Sequence, residues 1–193
     1  MIGKVLALMV AATLLMGGGS AALAYSNVAL GITPTLDGTF GPSPPPVAAA
    51  STLTDGIFLP EATPWQEGTV WWTGPVSNPT QTVTIDLGGD FEIDKFRLQA
   101  DCNDVYKIYA YNGASLVYTA NFNVTGGWGM ITKPDIIPTT PITADNLVLQ
   151  ATSGDGMYSV SEIQAWGDPV PLPGAVWLLG SGLGLLAWRR QRS

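Results

Sequence analysis

Histidine is absent from this 193-residue chain. That removes the commonest general base and the commonest metal ligand. Cysteine occurs once, at Cys102, so no disulfide can form within the chain. Cys102 lies between Asp101 and Asp104, and acidic neighbours disfavour a thiolate, so it reads as an inert small side chain. Charge is scarce: 12% of residues are charged against 46% hydrophobic. Basic residues are scarcest in the middle. Between residues 25 and 169 only Lys95, Arg97, Lys107 and Lys133 face all 15 acidic residues, a net charge of −11. Such a surface repels polyphosphates and attracts cations, so nucleic acid is excluded as a partner.

What is plentiful is glycine (23) and proline (15), which favour many turns over long helices. The apolar excess is concentrated at the two ends. Lys4 precedes an almost wholly apolar run, Val5 to Met16, and then a glycine break. Ala22 and Ala24 supply the small residues at −3 and −1 of a secretory signal with cleavage after Ala24. Residues 1–24 are therefore expected to be a signal peptide handled by the Sec machinery.

At the other end, an uncharged stretch of about 17 residues from Leu172 is at the lower limit for a spanning helix, about 26 Å long. Trp177 and Trp188 suit the two interfaces, and Arg189, Arg190 and Arg192 would stay cytoplasmic. A buried helix would show a polar stripe, and this one has none before the arginines. Val170-Pro171-Leu172-Pro173-Gly174, an apolar helix over 175–188 and a basic tail over 189–193 together resemble the PEP-CTERM sorting signal in its VPLPA-type variant. Gly174 stands where that variant usually has Ala. The resemblance implies recognition and cleavage by an exosortase of a Gram-negative bacterium. The chain would be held transiently in the inner membrane and then released to the cell surface or matrix.

Residues 25–169 read as an all-β sandwich or jelly roll. Val83, Ile85 and Leu87 alternate with Thr82, Thr84 and Asp86, the period of a half-buried strand. Gly88-Gly89-Asp90 predicts a turn. Phe91 to Ala100 predicts the next strand, with an apolar phase slip at Asp94-Lys95 that predicts a bulge. Val105–Tyr111 and Leu116–Phe122 flank Asn112-Gly113, a hairpin signal. Asn146–Ala151 and Tyr158–Trp166 flank the turn Gly154-Asp155-Gly156. The Pro-rich stretch from Thr39 to Ala50 reads by itself as a stiff linker that would leave 25–38 as a separate tail.

An ordered set of short segments changes that reading. Asn27-Val28-Ala29-Leu30-Gly31, the turn ending Asp55-Gly56, Trp72 ahead of Val83-Thr84-Ile85-Asp86-Leu87-Gly88, and Ser161-Glu162-Ile163-Gln164-Ala165-Trp166-Gly167 resemble discoidin (coagulation factor C-type) domains. The resemblance implies a galactose-binding-like jelly roll and makes the Pro-rich stretch an inserted loop. It also implies ligand binding through loops at one end, to sugars, lipids or proteins. A structural calcium is implied too, held by Asp55, Glu162 and the Leu53 carbonyl, and Ca²⁺ wants six to eight such hard oxygens.

Five of the seven tryptophans lie between residues 25 and 169, available to a ligand or a core. Trp72 and Trp166 are expected in the core. Trp65 and Trp128, among Pro, Glu and Gly, are expected on exposed loops, where a flat aromatic face can stack on a sugar ring. The function expected is a non-enzymatic surface or matrix protein that binds carbohydrate, exopolysaccharide in particular. A structural matrix protein without a ligand, and a secreted hydrolase using paired carboxylates such as Asp101/Asp104, are the alternatives.

Overall fold

A computed structural model of the protein describes residues 25–41, 44–75 and 80–171. The signal segment with Ala22 and Ala24 lies outside them. So does the chain from Leu172 on, with Pro173, Gly174, Trp177, Trp188 and the three arginines. Among the described residues no helix is long and apolar enough to cross a membrane.

The regular structure of the described chain is almost entirely strand. In order these are β1 (Ser26–Asn27), β2 (Thr35–Asp37), β3 (Val70–Thr73), β4 (Thr82–Asp101), β5 (Val105–Asn112), β6 (Ser115–Phe122), β7 (Met130–Thr132), β8 (Ile142–Ser153) and β9 (Met157–Pro169). The main order is β1-β9-β4-β8-β5-β6, all antiparallel, with β2 and β7 on β4 and β3 on β9. One short 3-10 helix, Ala50–Thr54, leads into Asp55-Gly56.

β4 explains the curvature. Its first half pairs with β8 and β2, and its second half with β9 and β7. Gly88-Gly89-Asp90 does not turn the chain, as the sequence suggested. It lies inside β4, where the register with β8 shifts between Asp86 and Phe91. The glycine signal was real, but it bends a strand instead of ending it. The expected bulge is present, because the register with β9 shifts between Ile93 and Lys95. It moves the buried set from Ile93 to Phe96, Leu98 and Ala100, which a strict alternation would have put outside.

The core lies between the curved layers. Trp72 sits at its centre, 1% exposed, with its ring 5.3 Å from Phe40, 5.7 Å from Tyr158 and 6.4 Å from Tyr106. Residues 25–41 belong to this body: β1 and β2 join the sheet, and Val47 and Ala48 at the end of the Pro-rich stretch pack against the core. Trp166 departs from expectation. It is half-buried, and its outer face meets Tyr25 at 5.8 Å and the Lys95 ammonium at 4.5 Å. Its β9 position pairs near the end of the sheet with Asn27, where the two-residue β1 leaves its ring uncovered.

Candidate functional site

Antiparallel pairing brings the C-terminal ends of β4 and β8 and the N-terminal ends of β5 and β9 to one end of the sandwich. Three connections meet there: Cys102–Asp104 between β4 and β5, Asn123–Gly129 ahead of β7, and Gly154–Gly156 between β8 and β9. A fourth segment, Asp55 to Thr69, has no strand of its own and runs along the sheet to reach them. Together they enclose a cavity of about 350 Å³ lined by Pro64, Trp65, Asp101, Cys102, Asn103, Trp128, Gly129, Asp155 and Met157.

Trp65 and Trp128, selected from the sequence as loop aromatics, thus line one cavity. Trp128 is 64% exposed. Trp65 is half-buried, set edge-on against the buried Trp71 at 5.4 Å. Gly129 makes the approach possible. Its φ is +65°, and a Cβ there would collide with the Thr63 carbonyl. With the glycine in place Met130 N donates to Thr63 O at 2.8 Å, and Ala62 N donates to Met130 O at 2.9 Å.

Beneath the cavity is a buried polar cluster that sequence reasoning only half identified. The Asp101-Asp104 and Gly154-Gly156 turns are joined: Asn103 Nδ2 donates to Asp155 Oδ2 at 2.9 Å, and Asp155 N donates to Asp104 Oδ1 at 3.3 Å. Asp104 is fully buried, and its other oxygen accepts from the Tyr106 hydroxyl at 3.1 Å. Burial, and then the nearby Asp101 charge, push its carboxyl up to about 7. Burial likewise raises Asp101, even though its Oδ1 accepts from Cys102 N at 2.8 Å. Burial and the Asp101 charge raise the Cys102 thiol, which fits an inert side chain. Lys133 was invisible as a site residue. It is 1% exposed, and its ammonium donates to Asp104 O and Val124 O, both at 2.9 Å. Burial lowers its pKa. It ties the β4–β5 turn to the segment that carries Trp128. Nothing local marks it, since its partners are carbonyls nine and 29 residues away.

The Asp101/Asp104 pair singled out in the sequence does not have the form of a catalytic carboxylate pair. Asp104 is enclosed and does not line the cavity, whereas Asp101 does. Two carboxylates flanking one bond are required for glycoside hydrolysis.

The residues expected to hold calcium also come together. Gly56 N donates to Glu162 Oε1 at 3.1 Å, and that oxygen also accepts from Gln164 Nε2 at 3.0 Å. Asp55 Oδ1 accepts from Ile57 N at 2.8 Å, an Asx turn. Glu162 is fully buried and its Oε2 has no partner among the described residues. Burial, with the Asp55 charge adding, pushes it up to about 7. Leu53 is buried in the adjacent 3-10 helix. An orphaned buried carboxylate oxygen beside a second carboxylate suits a hard dication. Of the sorting motif, only Val170 and Pro171 are described; Val170 N donates to Asp90 O at 2.9 Å.

No family model matches the chain, and no curated protein matches it. Solved structures do. A fucolectin from striped bass (Morone saxatilis) serum is 16% identical with a TM-score of 0.56, over 77% of this chain and 50% of that one. The lectin domain of lectinolysin, complexed with Lewis B antigen, is 13% identical with a TM-score of 0.52, over 72% and 95%. A Streptococcus pneumoniae fucose-binding module is 14% identical with a TM-score of 0.51, over 72% and 96%. The chain spans half the length of the bass lectin. At these identities the likeness is one of fold, and the fold is the galactose-binding-like jelly roll expected from the sequence.

Proposed function

We propose that this chain is an exported, non-enzymatic carbohydrate-binding protein of the cell surface or matrix, and that the cavity between Trp65 and Trp128 is its binding site. One observation carries the reading: two tryptophans from separate connections open onto a single cavity of about 350 Å³ at a loop end of the sandwich. That volume suits one or two sugar units, and aromatic walls with a few polar groups are what such sites use. The proteins of like fold named above are a lectin, a lectin domain and a fucose-binding module, which agrees with the reading. Exopolysaccharide is the ligand class that an exosortase-sorted matrix protein would meet. The sorting reading rests on residues 170–193 alone, and mass spectrometry of surface material checks it. The expected chain starts at Tyr25 and ends between Pro171 and Gly174, and an intact arginine tail on released protein would contradict it.

A glycan array probed with the full chain tests the binding reading. The wild type should be retained on a defined set of glycans. Trp128→Ala should lose at least about 2 kcal/mol of binding, roughly thirtyfold. Retention of no glycan at all would leave only the structural-matrix reading, and turnover of a polysaccharide would favour the hydrolase.

Calcium belongs to the same proposal as a structural ion. Asp55 and Glu162 would supply its carboxylates and Leu53 a carbonyl. When bound it would supply the positive charge that the buried Glu162 lacks. Glu162 keeps the Asp55-Gly56 turn against β9 through its bond to Gly56 N.

A further inference from the structure

The charged groups of the cavity are of one kind. Asp101 and Asp155 offer carboxylate oxygens, which accept hydrogen bonds and donate none. Neutral donors are few: one N–H of the Asn103 amide is turned onto Asp155 Oδ2, and the Trp65 and Trp128 indoles carry a single N–H each. Among the described residues no Lys or Arg lines the cavity. The nearby ammonium, on Lys133, is sealed beneath it, committed to two carbonyls and to the Tyr106 ring at 5.6 Å. A neutral sugar brings hydroxyls that need both donors and acceptors. An N-acetyl group brings a carbonyl that needs a donor. This lining answers neither need well. A protonated amine brings three donors, no acceptor and a positive charge, and it matches on every count. The aromatic walls agree, because Trp faces attract cations as well as sugar C–H groups. The surrounding body, with its large acidic excess, would steer a polycation toward the site.

We propose that the cavity selects amino sugars carrying a free, protonated amine, with the pyranose ring on Trp128 and Trp65 and the ammonium between Asp101 and Asp155. This rests on the carbohydrate reading above and names its ligand class. The polymer would be a hexosamine chain from which acetyl groups have been removed. Its ammonium would also offset the Asp101 and Asp155 charges gathered there.

Calorimetry of the full chain at about pH 6, with calcium held constant, tests this. The ligands are a glucosamine tetramer, its N-acetylated counterpart and tetralysine. The glucosamine tetramer should bind about tenfold tighter than the acetylated one, the scale of one charge-assisted hydrogen bond. That preference should shrink at about 0.5 M salt as screening shortens. Met157 N donates to Asp155 Oδ1 at 2.8 Å, and Asp155→Asn, which keeps an oxygen for that bond, should bring the two tetramers to near-equal affinity. Its unchanged thermal midpoint would show that it still folds. Asp101→Asn provides a second variant of the same sense. Equal or tighter binding of the acetylated tetramer would overturn the proposal and leave carbohydrate binding standing. Binding of neither tetramer would overturn both. Tetralysine binding as tightly as the amino sugar would show that the ring contributes nothing, and would also overturn it. So would a preference that disappears when calcium is removed, since a metal would then lie between the carboxylates.

Discussion

At the scale of single residues, the chemistry of a position was legible in the sequence, but its burial only in part. Trp65 and Trp128 were identifiable because Pro, Glu and Gly around them argue against a strand interior. Their difference was not. Trp128 stands free, whereas Trp65 leans on Trp71, whose burial depends on β3 pairing with β9. The two alanine variants should therefore separate. Trp128→Ala should leave the thermal midpoint nearly unchanged, while Trp65→Ala should also lose about 1–2 kcal/mol of stability from the edge-on pair and partial burial. Equal midpoints for the two would contradict the geometry. Asp104 carries a second prediction. Its carboxyl titrates near pH 4 in an unfolded chain and at about 7 when folded, beside Asp101, Asp155, Lys133 and the Tyr106 hydroxyl. Between those values the folded state holds a proton that the unfolded chain has released. Stability is thus fully present below about pH 4 and falls as pH rises toward 7. Glu162 adds to the slope in the same sense while no cation is bound. Denaturant midpoints measured from pH 4 to 8 in chelator should decline, and Asp104→Asn should flatten the decline. Stability rising across that window would exclude the buried, protonated carboxyls.

At the scale of elements, the period-two run of β4 and the phase slip at Asp94-Lys95 were readable because one face must be buried and a bulge leaves a trace in the pattern. The extent of β4 was not readable. Gly88-Gly89-Asp90 carries a turn signature locally, and only pairing with β8 on both sides keeps it in the strand. The cavity is likewise a product of non-local contacts. Gly129 lets the Trp128 segment lie against Thr63, and Lys133 fastens that segment to the β4–β5 turn. Gly129→Ala should cost about 2 kcal/mol or more, a drop of roughly 4–8 °C in midpoint, and should abolish glycan retention. Gly113→Ala is the matched control. Its φ is also positive, at +55°, but its hairpin is open and at the opposite end, so stability should fall modestly while binding persists. Loss of binding in both variants would show that the effect is general destabilisation.

At the scale of the molecule, the two candidate sites are joined by one strap. It begins at Asp55-Gly56 on Glu162. Gln99 then clasps Leu59 in both directions, at 2.8 and 2.9 Å. Glu61 next accepts from Thr132 N at 2.9 Å, before the chain reaches Trp65. Calcium at the start of the strap should therefore favour the geometry at its end. Chelator should lower the melting temperature, by an amount equivalent to about 2.7 kcal/mol if calcium had been at a hundredfold its dissociation constant. It should also weaken glycan affinity severalfold. Asp55→Ala should remove both responses. Identical midpoints with calcium and with chelator in the wild type would mean that no such ion is held.

The central claim is that the Trp65–Trp128 cavity is where the protein meets carbohydrate. The most direct measurement is a difference electron-density map from crystals of the protein soaked with a glucosamine oligomer. The account predicts a pyranose ring stacked on Trp128, with its amine within hydrogen-bond distance of Asp155 or Asp101. A ring bound at another face, with the Trp128 indole bare, would contradict it.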